Sequence, residues 1–244
     1  APFAVRDYGL ELETEPAVVQ AGKPARWRFR IFHPGTGEPI LKFETVHERQ
    51  YHLFVTTHDI THFQHIHPEL QADGTWVIDV TLPKAGYYKV LSDFLPAGGA
   101  SQFIARPLVT ANYKGDLAGD SARLTLDSSP TQTVDDLTAR VTYDPAPFIA
   151  GLYGHLQFSL TDTATGRPVT DLQTYLGAFG HTLIMSEDLN EYVHSHSLDI
   201  VPGGNDDDEM PQFLIPPGAD LEKLRGGPNV ILDGLMPKPG RLRA

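Results

Sequence analysis

The chain contains no cysteine among its 244 residues. Disulfides, zinc–thiolate sites, thiol catalysis and the thiolate-dependent blue-copper centre are therefore excluded. It has no apolar run long enough to read as a membrane span. Positive charge is scarce as well: 19 Lys and Arg stand against 31 Asp and Glu, a net charge of −12, with no basic cluster. That disfavours nucleic acid and anionic membrane surfaces as partners. Common enzyme signatures are missing too: Gly-x-Ser-x-Gly, the P-loop, Gly-x-Gly-x-x-Gly in a βαβ setting and His-Glu-x-x-His. The start, Ala1-Pro2-Phe3-Ala4, is one that can follow a cleaved signal peptide.

What is present is an internal repeat. Shifted by 129 residues, 7–67 lies over 136–196 without a gap. Ala21-Gly22 meets Ala150-Gly151, and Thr36-Gly37-Glu38-Pro39 meets Thr165-Gly166-Arg167-Pro168. His52 meets His181, Asp59 meets Asp188, His65 meets His194 and His67 meets His196. Beyond that the register moves by 25 residues. Leu82-Pro83-Lys84-Ala85-Gly86 then lies over Met236-Pro237-Lys238-Pro239-Gly240, and Asp79 over Asp233. The second copy thus gains an insertion near 197–228, rich in Gly, Pro and acid. It stops at the counterpart of Val90, so its last strand or strands are expected to be missing from the sequence. The expected domains are 1–112 and 122–244, joined by a linker at 113–121.

The local pattern is that of strands. Tyr8–Thr14, Arg26–Phe32 and His155–Leu160 alternate, while Thr75–Thr81 and Tyr87–Leu91 are rich in β-branched and aromatic residues. Pro34-Gly35, Asp73-Gly74 and Ala85-Gly86 supply turns. No segment shows a capped helical period. The expected fold is all-β: two tandem immunoglobulin-like β-sandwiches related by the repeat.

The histidines carry the chemistry. Residues 51–57 and 62–67 read as two strands around a turn at His58-Asp59-Ile60-Thr61. That hairpin sets His58 opposite Thr61, Phe54 opposite His65 and His52 opposite His67. His65 and His67 share a face because strand side chains alternate, and opposed residues share it too. Three imidazoles therefore gather on one side of the ribbon, and His181, His194 and His196 repeat the arrangement. Across 26–67 against 155–196 nine positions are identical, and three are these histidines. Neutral imidazoles in such a set suit Cu(II), Zn(II) or Ni(II). The expected ligands are His52, His65 and His67 for one ion and His181, His194 and His196 for another, about two ions per chain. In the second copy the histidine face also carries Leu183, Met185 and Tyr192, so it is expected to be partly buried. A hydrogen-bonded histidine cluster without metal is the alternative.

Other candidates are weaker. His62 alternates away from the cluster, and His58 at the turn is expected to be solvated. Asp93 could add an oxygen ligand. Asp59 and Asp188 are expected to shape their turns. Asp79 and Asp233 fit outward strand positions. Asp206-Asp207-Asp208-Glu209 lacks the EF-hand pattern and reads as a solvated loop. Met185, Trp27, Trp76, Tyr87 and Tyr88 read as packing residues.

The runs Tyr51-His-Leu-Phe-Val, Phe63-Gln-His-Ile-His-Pro-Glu69, Asp73-Gly-Thr-Trp, Pro83-Lys-Ala-Gly-Tyr and Ser92-Asp-Phe carry a resemblance. Together they resemble a group of exported bacterial proteins of uncharacterised role, loosely described as heavy-metal-binding. The resemblance covers most of the first copy and, more faintly, the second. It implies a cell-envelope location, periplasmic or extracellular, and a link to metal handling, copper included; the expected partners are a metal ion and another envelope protein. The expected function is a metal-binding module that holds or passes on Cu(II) or Zn(II). Two alternatives stand beside it: an immunoglobulin-like adhesion or scaffold module with structural histidines, and a metal-dependent hydrolase or oxidase. The last would need an open coordination position beside an acid or base.

Overall fold

A computed structural model describes residues 8–46, 48–116, 121, 123–125, 129–198, 220, 223–236 and 238–243. Residues 199–219 of the insertion, with the acidic run at 206–209, lie outside the described residues. The chain divides into two units, Ala1–Ala122 and Arg123–Ala244. Among the described residues no helix is long and apolar enough to cross a membrane.

The first unit has nine strands: β1 (Gly9–Glu15), β2 (Pro24–Phe32), β3 (Phe43–Glu44), β4 (Tyr51–Thr57), β5 (Phe63–Ile66), β6 (Glu69–Leu70), β7 (Trp76–Thr81), β8 (Tyr87–Pro96) and β9 (Gln102–Val109). Alternation dictates their faces. In β2, Ala25, Trp27, Phe29 and Ile31 point inward while Arg26, Arg28 and Arg30 point out. One sheet runs β1-β2-β7-β6; the other runs β3-β8-β4-β5, with β9 also on β8. In immunoglobulin lettering these are A-B-E-D and C′-C-F-G. Trp27, Phe29 and Ile31 of the first sheet meet Leu53, Val55 and Val90 of the second in one core. Each such fully buried apolar side chain contributes about 1.5–3 kcal/mol. Tyr88, at the start of β8, donates its hydroxyl to the Lys84 carbonyl at 2.8 Å, the tyrosine corner of this fold.

The second unit has β10 (Thr131–Val134), β11 (Leu137–Asp144), β12 (Tyr153–Asp162), β13 (His181–Ser186), β14 (Tyr192–Leu198), β15 (Asn229–Leu235) and β16 (Leu242–Arg243). They form one sheet in the order β10-β11-β12-β15-β14-β13-β16. It folds over on itself, since Ile184 of β13 packs with Leu156 of β12 and Leu232 of β15.

The two units differ in connectivity at one aligned pair, Pro68 and Ser197. Pro68 has no N–H, and the β4–β5 ladder ends at Leu53–Ile66. The chain resumes as β6 on the opposite sheet, with Glu69 paired to Val77. Ser197 donates its N–H to the Gly180 carbonyl at 2.9 Å. Its hydroxyl accepts from the N–H groups of Phe179 and Gly180 at 2.9 and 3.2 Å. The strand therefore runs on unbroken, and Ser197 and Leu198 pair with Leu232 and Ile231 of β15.

Candidate metal centres

Each hairpin is built by its turn. In the first unit Thr57 N–H bonds the His62 carbonyl at 3.2 Å. Ile60 takes a left-handed conformation, φ 53°, and Asp59 Oδ1 accepts from Thr61 N at 3.1 Å. In the second, Ser186 N bonds the Glu191 carbonyl at 2.9 Å, Leu189 has φ 56°, and Asp188 Oδ1 accepts from Asn190 N at 3.2 Å. The aspartates are turn-shaping residues, as their position suggests. Each also carries an ion pair, Lys84–Asp59 at 2.9 Å and Lys238–Asp188 at 2.8 Å. The sequence holds a signal for that pair, since all four residues are matched across the repeat, but they lie on separate segments that only the fold brings together.

These turns fix the register. Phe54 faces His65 in the first hairpin. His181 faces His196, and Leu183 faces His194, in the second. His52, His65 and His67 share a side, as do their counterparts. His52 is buried, and His65 and His67 half-buried; His196 is buried, and His181 and His194 half-buried. The opposite face of β4 holds the core residues Leu53 and Val55, so β4 is buried on both sides.

The ring atoms converge. In the first unit His52 Nδ1 lies 3.1 Å from His65 Nε2 and 3.3 Å from His67 Nε2. His52 Nε2 lies 3.0 Å from the Val46 carbonyl oxygen. A carbonyl only accepts, so Nε2 carries the proton, and the neutral ring presents the Nδ1 lone pair to the other two rings. One lone pair serves one strong donor, yet two nitrogens crowd it. Four nitrogens at 2.0–2.1 Å around a tetrahedral ion stand about 3.3–3.4 Å apart. The two separations from His52 Nδ1 are close to that spacing.

In the second unit one ring nitrogen from each of His181, His194 and His196 lies within 4.8 Å of the others. The group is of a kind that could hold a metal ion. The corresponding atoms, His181 Nδ1, His194 Nε2 and His196 Nε2, are withdrawn from solvent. His181 Nε2 donates to the Tyr175 carbonyl at 2.5 Å. Tyr175 is the counterpart of Val46, and each sits in a matched tight turn, Val46–Arg49 and Tyr175–Ala178. Both repeats thus clamp the first histidine through its outer nitrogen, the outer-shell arrangement that orients metal-ligating imidazoles. Sequence reading could not find these acceptors, because a backbone carbonyl leaves no residue-type signature.

The remaining candidates fall elsewhere. His62 sits on the other face beside Tyr88. Burial and the Lys84 charge lower its pKa from the usual value. His58, expected in solvent, instead sets its ring edge-on to Tyr87 at 5.1 Å and is half-buried. Asp79 holds Arg26 through two 2.9 Å bonds on the exposed face. Its counterpart Asp233 faces His155 across β12 and β15. Asp93 stands directly across β4–β8 from His52. Met185, Trp27, Trp76 and Tyr88 are buried packing residues.

The model of one family, a domain of unknown function (DUF8832), matches residues 4–110 and again residues 132–243. The chain belongs to the DUF8832 family. It carries that domain twice, in agreement with the sequence repeat. A search of curated proteins gave no match. Among solved structures, the chain is similar to FdeC, a broadly conserved Escherichia coli adhesin. The two share 15% identity at a TM-score of 0.31, over 93% of this chain and 56% of that one. The chain therefore spans a little over half the length of that structure.

Proposed function

We propose that this DUF8832 chain is a metal-binding protein of an exported compartment that holds or passes on Cu(II) or Zn(II), one ion per repeat. The ligands are His52, His65 and His67 in the first repeat and His181, His194 and His196 in the second. The observation that carries this reading is the approach of two Nε2 atoms to the His52 lone pair, together with the carbonyl clamp that both repeats share. Imidazole-only sets suit Zn(II) and Cu(II), and the absence of cysteine removes softer alternatives. The test is equilibrium metal titration of the purified chain with elemental analysis. About two equivalents should bind near neutral pH and be lost below about pH 6, as imidazoles protonate. Absence of stoichiometric uptake would refute it.

A second reading has its own support. The A-B-E-D and C′-C-F-G sheets are those of an immunoglobulin-like module, and His52 already has ring and carbonyl contacts. On that reading the histidines are structural and the chain is an adhesion or scaffold module. A chain that binds no metal, yet loses stability when His52 is replaced, would favour it.

A further inference from the structure

Pro68 does more than end a ladder. His67 falls between β5, in one sheet of the first unit, and β6, in the other. It stands where the chain crosses between the sheets. There it lines a groove with Arg26, Arg28, Glu69 and Asp79. The groove holds about 420 Å³, within the range of small-molecule sites, about 300–1,000 Å³. The same His67 ring brings its Nε2 to 3.3 Å from His52 Nδ1. One side chain thus joins the candidate centre to the groove.

The lining carries both signs of charge. Arg28, Val77 and Glu69 are paired in a row across β2, β7 and β6, so they share the outer face. The two arginines differ in what they hold. Arg26 gives two N–H groups to Asp79, at 2.9 Å each. Arg28 gives one, to Glu15 Oε2 at 3.0 Å. A guanidinium carries five donors in a planar fork that matches a carboxylate. Arg28 is therefore the better placed of the two to receive another carboxylate. In the second repeat the counterparts of Arg26 and Arg28 are His155 and Gln157, and Ser197 keeps its strand in the sheet. This pair of arginines belongs to the first repeat alone.

We propose that this groove is the exchange port of the first centre: Cu(II) or Zn(II) enters and leaves as a complex with a small carboxylate ligand that docks on Arg28. This deepens the metal-binding reading and rests on it. Three imidazoles leave one place on a tetrahedral ion. In departure an oxygen of the ligand bonds the ion at that place, the ion–imidazole bonds break, and ion and ligand leave together. Entry is the reverse.

The experiment uses the full chain with His181→Ala, so that only the first centre is read. The chain is loaded with one equivalent of Zn(II), and release into a chromogenic zinc dye is timed by stopped flow. Nitrilotriacetate serves as the carboxylate carrier and 1,10-phenanthroline as a neutral one. Nitrilotriacetate should speed release along a saturating curve. Arg28→Gln should keep the one equivalent of Zn(II) and lose that acceleration by about fivefold or more, the low end for a hydrogen bond to a charged group. Phenanthroline should act equally on parent and variant. Unchanged acceleration by nitrilotriacetate in Arg28→Gln, or an equal loss with phenanthroline, overturns the port while leaving the histidine site standing. No Zn(II) bound in the parent background overturns both.

Discussion

A neutral imidazole has one donor and one acceptor nitrogen, so fixing one fixes the other. The Val46 and Tyr175 carbonyls do this for His52 and His181. His52→Ala should then remove one of the two bound equivalents and leave the other, as read by titration; loss of neither places the ligands elsewhere. The turn aspartates make a separate residue-scale prediction. Burial alone would push the Asp59 carboxyl up. Hydrogen bonds from Thr57, Lys84 and Thr61 outweigh it and hold the group well below the usual carboxylate range. Asp188 is held low by Lys238 and Ser186. Both are depressed in the folded state. Their stabilisation is therefore present above the ordinary value of 3.8 and fades as pH falls through the lower folded value. Asp59→Asn should lower stability at pH 7 by less than about 1 kcal/mol, since the Lys84 pair is partly exposed. Its stability difference from the parent should shrink in acid. A difference that grows in acid would contradict the sign.

At the scale of elements, the hairpins were legible and the sheet connectivity was not. A four-residue turn, with Asp59 or Asp188 second, fixes register, and register fixes which side chains share a face. Both steps follow from the strand period of two. The fate of the strand after the last histidine depends on one N–H. Pro68 lacks it and the chain leaves for the opposite sheet; Ser197 has it and β14 continues onto β15. The substitution was visible, but its consequence depends on which carbonyl lies opposite. Likewise, no pattern within 51–57 shows that β4 is buried on both faces. Ser197→Pro should cost about 1–3 kcal/mol, through the lost bond to Gly180 and the stranded hydroxyl contacts. Chemical denaturation of the variant measures it. An unchanged midpoint would show that the continuous strand adds nothing.

On the scale of the whole molecule, duplication is the informative feature. Nine identities across 26–67 and 155–196 include the three histidines, and the structure adds a matched carbonyl to each set. The fold class followed from strand alternation and turn residues; the ring tautomers did not, because backbone acceptors are set by three-dimensional position. If each repeat holds an ion in its folded state only, metal stabilises it by mass action. At a free concentration 100 times the dissociation constant the gain is about 2.7 kcal/mol. Thermal unfolding with and without Zn(II) should show that rise, and a chelator should reverse it. The central claim is that three imidazoles of one hairpin share one ion. Metal-edge X-ray absorption of the loaded chain counts those imidazoles directly. Three per ion is the predicted result, and a shell of oxygen ligands with one imidazole or none would contradict it.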